Sequence, residues 1–287
     1  MLEPIPDQVL DIQHDPDPAQ DHGPARRIPH LGHAFFFFSL SIMMYLLTAA
    51  GVLTAARIRP EQLMQHLGLG LLIQVLAYIL TLVAAFWIFP YLWTKPFLIG
   101  IEWNALSVTR RWFWIVPLGI VLSIAAQLAD AHIPEVAKSP LDSFFTTPRD
   151  AWLLTACGVL LFPLFEEVAF RGFLLPALAT AYDWLALDRT PAGLRRWETS
   201  SGHSTPALIF GAVFSSLGFA LIHGDQLSFS FGFMAVLFIV SLVLSWVRIK
   251  SHSVACSVLL HATYNLTTFA TAFIASGGYR HLEKLSS

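Results

Sequence analysis

The sequence predicts an all-α fold: a polytopic transmembrane helical bundle of about seven to eight spans behind a polar, disordered N-terminal tail. Three observations carry that expectation. First, 55% of the 287 residues are hydrophobic and only 13% are charged, with mean hydropathy +0.62. A soluble globular chain carries roughly a quarter charged residues. Second, uncharged apolar runs recur along the chain at close to the about 20 residues a spanning helix needs. Third, the few ionisable residues inside those runs gather in three late ones.

Residues 1–33 are polar, proline-bearing and acidic (Glu3, Asp7, Asp11, Asp15, Asp17, Asp21), and lack the basic start and apolar core of a secretory signal. So few apolar groups do not offset the entropy of ordering them, so a mobile tail is expected. The N-terminal membrane part, 34–150, opens with spans at 34–56 and 68–93. Trp87, Tyr91 and Trp93 suit an interfacial belt, and the phenylalanines of 35–38 read as lipid-facing. Segment 97–108 is too short and polar to cross, which predicts an interfacial helix or re-entrant piece; 112–129 is the third span.

The second membrane part, 151–275, begins a fourth span near Ala151 and continues with spans at 206–223, 226–247 and 253–275. Residues 276–287 form a C-terminal tail. The longest hydrophilic connection, 188–205, reads as solvated. No internal repeat and no separate soluble domain are visible. Loops on the N-terminal side carry more Lys and Arg (Arg26, Arg27, Lys95, Arg110, Arg111 among them), which favours a cytoplasmic N-terminus.

A net charge of −2 leaves no basic footprint for nucleic acid, so the partners to expect are the lipid bilayer and molecules within it. Cys157 and Cys256 are the only cysteines, and both lie in apolar runs. No disulfide framework or paired-cysteine metal motif can be built from them.

Segment 160–176, "LLFPLFEEVAFRGFLLP", places Glu166, Glu167 and Arg171 where charge is most expensive. Ionisable groups inside a span usually face a cavity, have a partner and carry function. Glu167 and Arg171 are four residues apart, share a helical face and can pair. Glu166 points about 100° away, free of that arginine and available as a general base. Later, "FALIH" sets Phe219 and His223 on one face, and "HATYN" does the same for His261 and Asn265. An imidazole and a carboxamide together can hold an anionic oxygen, or the imidazole can bind a metal. For Glu166 and His223 to meet on antiparallel spans they must lie equally far from a connection centred near residue 194. The fourth helix must therefore run to about 182–187, bent at Pro163 or Pro176, with the site off-centre in the bilayer.

In this order, "EEVAFR", "FALIH" and "HATYN" resemble the CPBP family of intramembrane proteases. That family includes type II CAAX prenyl endopeptidases and bacterial proteins linked to bacteriocin immunity. The resemblance covers about 151–275. It implies that Glu166 activates a water for attack on a peptide carbonyl, that His223 orients the water, and that His261 and Asn265 stabilise the oxyanion. Glu167, Arg171 and Phe219 would support the site. Implied partners are membrane-embedded or lipidated peptide substrates, and a bacterial inner membrane is the expected location.

The cofactor question stays open between no metal and a divalent metal such as zinc, which Glu166, His223 and His261 would hold. The His-Glu-x-x-His spacing of a zinc peptidase helix is absent. Two other readings stand beside the protease: a non-catalytic immunity or scaffold protein, and a proton- or cation-coupled transporter. The lack of repeats with paired broken helices counts against the transporter.

Overall fold

The computed structural model describes residues 27–133, 147–200 and 202–285; residues 1–26 of the expected tail lie outside these. Helices α1 (Leu31–Ala56), α2 (Leu67–Trp93), α3 (Phe97–Gly100) and α4 (Ala105–Asp130) form the first part. They are followed by α5 (Pro148–Glu167), a π-helical segment (Val168–Leu174), α6 (Leu175–Leu185) and α7 (Pro191–Thr199). The chain ends in α8 (Thr205–Ile222), α9 (Phe231–Ser251) and α10 (Val254–Ala275). No strand occurs among the described residues, and seven helical stretches are long and apolar enough to cross a membrane. One of them is the unbroken 38-residue rod Pro148–Leu185.

Local sequence explains where the helices begin. Thr147 and Ser204 each accept a hydrogen bond from the backbone N–H three residues on, and a proline follows each within two residues. Both positions suit these residues, because the cap satisfies an orphan donor and proline lacks one. Asn104 caps α4 by accepting from Ser107 N at 3.1 Å.

Four expectations need correction. Segment 97–108 is not one element: α3 is a single turn, and residues 105–108 open α4. The third span continues through Arg110 and Arg111 because arginine is a good helix former and its long stem can reach the interface. Trp93 does not join an interfacial belt but is fully buried in the aromatic core, where Gly100 leaves room for its ring. Connection 188–205 is largely exposed, as expected, and holds α7, capped by Thr190. The phenylalanines of 35–38 divide by helical face: Phe35 is exposed, whereas Phe37 is fully buried and stacks on Phe173 at 4.3 Å. Residues 276–285 do not trail away either. Tyr279 is buried there, and its hydroxyl meets Thr155 Oγ1 at 2.8 Å.

Packing sorts the residues as a bilayer demands. Leu46, Leu47, Trp87, Val121, Leu160 and Ile209 are all exposed, as lipid allows and water would penalise. α10 packs against α4 and α5, α6 against α8, α8 against α9, and α1 against α2. An aromatic core of Phe37, Phe89, Trp93, Phe165, Phe173 and Phe219 joins α1 and α2 to the π segment and α8. A second cluster around Ile115, Leu244 and Leu260 joins α4, α9 and α10.

Close helix approach depends on small residues, as is usual where lipid supplies no hydrophobic drive between helices. At Gly211 a Cβ would lie 2.6 Å from the Leu175 carbonyl oxygen. Gly211→Ala should therefore wedge α8 from α6 and cost about 1–3 kcal/mol, read as a lower thermal midpoint in detergent. At Gly51 nothing lies within 4 Å of an added Cβ, so Gly51→Ala should leave the midpoint unchanged or raise it.

Candidate active site

The long rod changes its winding at the glutamate pair. Glu166 and Glu167 close the regular part of α5, and Arg171 lies inside the π segment. There the Leu175 N–H reaches the Phe170 carbonyl five residues back. Such turns are uncommon and cluster at functional sites. The irregularity falls between Pro163 and Pro176, the two positions expected to bend the helix. The rod does extend to Leu185, as the depth argument requires.

Arg171 is fully buried; its two Nη atoms donate in two directions, while Nε has no partner among the described residues. Nη1 donates to Glu167 Oε1 at 2.9 Å. Nη2 donates to the Ser241 carbonyl at 2.8 Å and to Ser241 Oγ at 2.6 Å. The guanidinium carbon also stands 4.9 Å from the Phe219 ring centroid, a cation–π distance. Glu167 is likewise sealed, and its Oε1 accepts a second hydrogen bond, from His261 Nδ1 at 2.9 Å. Its Oε2 finds no partner among the described residues. An ion pair serving packing alone would not leave a buried carboxylate oxygen bare, because that costs about 1–3 kcal/mol or more.

These contacts fix the protons on both imidazoles. His223 Nδ1 lies 2.8 Å from the Phe219 carbonyl, which can only accept, so that nitrogen carries hydrogen. His261 Nδ1 carries hydrogen for the same reason, facing a carboxylate already paired with Arg171. Both rings therefore turn Nε2 toward Glu166. His223 Nε2 is 3.8 Å from Glu166 Oε1, and His261 Nε2 is 3.8 Å from Oε2. That distance exceeds a hydrogen bond and is the kind of gap a bridging water fills. Phe219 sets the spacing, its ring 4.6 Å from the His223 ring and 5.9 Å from that of His261.

Glu166 is the accessible carboxylate, with 12% of its side chain exposed against none for Glu167. It sits on a cleft of about 250 Å³ lined mainly by Phe38, Ile42, Tyr45, Tyr78, Phe165 and Ile222. Ile42 and Ile222 are each 62% exposed, so the cleft opens on the lipid-facing side between α1 and α8. Asn265 is a turn along α10 from His261, and its amide donates to the Gly158 carbonyl at 2.7 Å. The carboxamide has a second N–H to offer.

Six of the seven predicted site residues thus meet around Glu166, while Asn265 is drawn toward Gly158. Among the described residues no group of three or more His, Cys, Asp or Glu side chains is arranged to hold a metal ion. The 3.8 Å separations are wider than the about 3.4 Å expected between tetrahedral ligands about 2.1 Å from zinc.

Sequence reasoning missed Ser241, a serine in an apolar run with nothing to mark it. It also missed the α1 and α2 walls of the cleft, because Ser41, Tyr45 and Tyr78 look like ordinary span residues. Arg248 reads as a loop charge, yet it is buried and donates through Nε to the Arg171 carbonyl at 3.3 Å.

No curated protein matches the chain, and no solved structure does. A family match spans residues 148–267, under the description type II CAAX prenyl endopeptidase Rce1-like. It contains all three motifs and ends inside α10. Residues 148–267 of this chain are a domain of the Rce1-like type II CAAX prenyl endopeptidase family.

Proposed function

We propose that the protein is an intramembrane endopeptidase that hydrolyses a peptide bond of a membrane-associated substrate, CAAX-type or otherwise lipidated, with a water activated by Glu166. The observation that carries this reading is the gap itself: one accessible carboxylate faces two imidazole Nε2 atoms at 3.8 Å on the wall of a lipid-facing cleft.

A water in that gap would be held by Glu166 and by His223, whose ring is fixed by the Phe219 carbonyl. Glu166 takes a proton from the water as oxygen attacks the scissile carbonyl. The tetrahedral oxyanion then forms on the α10 side of the gap, beside His261. Glu167 orients that ring by accepting from its Nδ1. The second N–H of Asn265 is a donor to the oxyanion, given a rotation away from Gly158. Glu166 finally returns its proton to the leaving amine. Arg171 and His261 both hold Glu167 Oε1, so the two adjacent glutamates take different roles.

An apolar cleft suits a substrate that is itself dissolved in lipid. Its walls offer little to a polar peptide, whereas a hydrocarbon chain can enter from the bilayer at little cost, since lipid and cleft wall are alike apolar. The scaffold and transporter readings give no use to a carboxylate facing two tautomerically fixed imidazoles.

Two outcomes test the proposal. In proteoliposomes with a farnesylated CAAX peptide carrying a fluorophore and quencher, Glu166→Gln should lower cleavage about 10²–10⁴-fold without altering the thermal midpoint. Wild-type cleavage by that variant would remove Glu166 from its role. Cleavage should also persist after dialysis against a strong chelator. Loss that zinc alone restores would make Glu166, His223 and His261 a ligand set drawn together by the ion.

A further inference from the structure

We infer that Glu102 and Arg248 form a positioning pair that holds the π segment in place, and through it sets Glu166 and Glu167 against the two histidines. The inference rests on the proposed hydrolytic reading of that site. It assigns a task to a residue outside the matched domain.

Arg248 lies in the last turn of α9, two helical turns beyond Ser241 and on the same buried face. Ser241 takes the Arg171 side chain, and Arg248 takes the Arg171 backbone through its Nε–H. α9 therefore grips the same residue twice, once on each side of its Cα. Arg171 lies inside the π segment, where helical hydrogen bonding is irregular. A cation on its carbonyl supplies a fixed anchor there that an ordinary apolar contact would not.

A guanidinium only 6% exposed needs a counter-charge. Arg248 Nη1 finds it in Glu102 Oε2 at 2.9 Å. Glu102 comes from the turn between α3 and α4, and its backbone is held at φ 55°, a left-handed conformation that is uncommon for a residue with a side chain. The turn is tied down on both sides. Trp103 N donates to the Leu98 carbonyl at 2.7 Å, and Val254 N donates to the Glu102 carbonyl at 3.1 Å. A strained backbone that surrounding hydrogen bonds over-determine, with its carboxylate delivered to a buried arginine, is a built feature rather than a loose surface pair. The path is short: Glu102, Arg248, Arg171 carbonyl, Arg171 side chain, Glu167, His261.

The test uses the full chain in lipid nanodiscs with the same farnesylated, quenched peptide. Glu102→Gln and Arg248→Gln should each lower kcat at least tenfold with KM changed less than twofold. Arg248→Lys, which keeps the charge but cannot serve carboxylate and carbonyl together, should fall between them and wild type. The imidazole ¹⁵N resonances of His223 and His261 should shift in all three variants. Unchanged kcat and unchanged resonances in Glu102→Gln would overturn the inference. So would a kcat loss that only follows the folded fraction while the resonances stay in place. If Arg248→Gln does not fold, Glu102→Gln carries the test, because Glu102 is 54% exposed. If the wild type cleaves no peptide yet the resonances shift, the hydrolytic reading fails and the positioning pair stands.

Discussion

The site depends on one buried ion pair. Arg171 and Glu167 are both sealed from solvent, and two charges in such a place are tolerable because each holds the other and further specific partners, although Arg171 Nε and Glu167 Oε2 have none among the described residues. The pair also distributes geometry. Through Ser241 it fixes the rod against α9, through His261 it fixes α10, and through Phe219 it touches α8. Remove it and three helices lose their common reference point. Glu166 gains its separate character from the same pair, since its neighbour has taken the Arg171 guanidinium.

The π segment makes that pairing compatible with the rest of the rod. Glu167 and Arg171 remain in register for an ion pair, while the widened turn places Arg171 where its carbonyl can be reached from α9. Phe170 and Phe173 leave the same segment in different directions, toward Phe219 and toward Phe37. Site and core thus share one stretch of seven residues.

Much of this was legible in the sequence, for physical reasons. Spans announce themselves because a bilayer demands long uncharged runs, and the ends of α1, α2, α8 and α10 fall within three residues of the expected boundaries. The charged residues were conspicuous because charge in a span is rare. The i,i+4 rule paired Glu167 with Arg171 before any coordinates. What stayed hidden has no one-dimensional signal. Ser241 differs from other span serines only by what it faces. The π winding is a choice among nearly equal backbone hydrogen-bonding patterns. The Asn265 contact with Gly158 depends on how closely two helices approach, and Gly158 permits it by having no side chain. The family match added nothing about α1–α4, which is where the cleft has its other wall.

That last point bears on what counts as a unit here. The matched domain begins at residue 148, yet Phe38, Ile42, Tyr45 and Tyr78 line the cleft on which Glu166 lies. Kinship and completeness have different borders in this chain. The matched segment supplies the residues of the candidate site, whereas α1 and α2, outside the match, supply the other wall of its cleft. On the proposed reading, two proteins with the same three motifs can therefore diverge in diet by exchanging their first two spans, leaving the motif residues untouched.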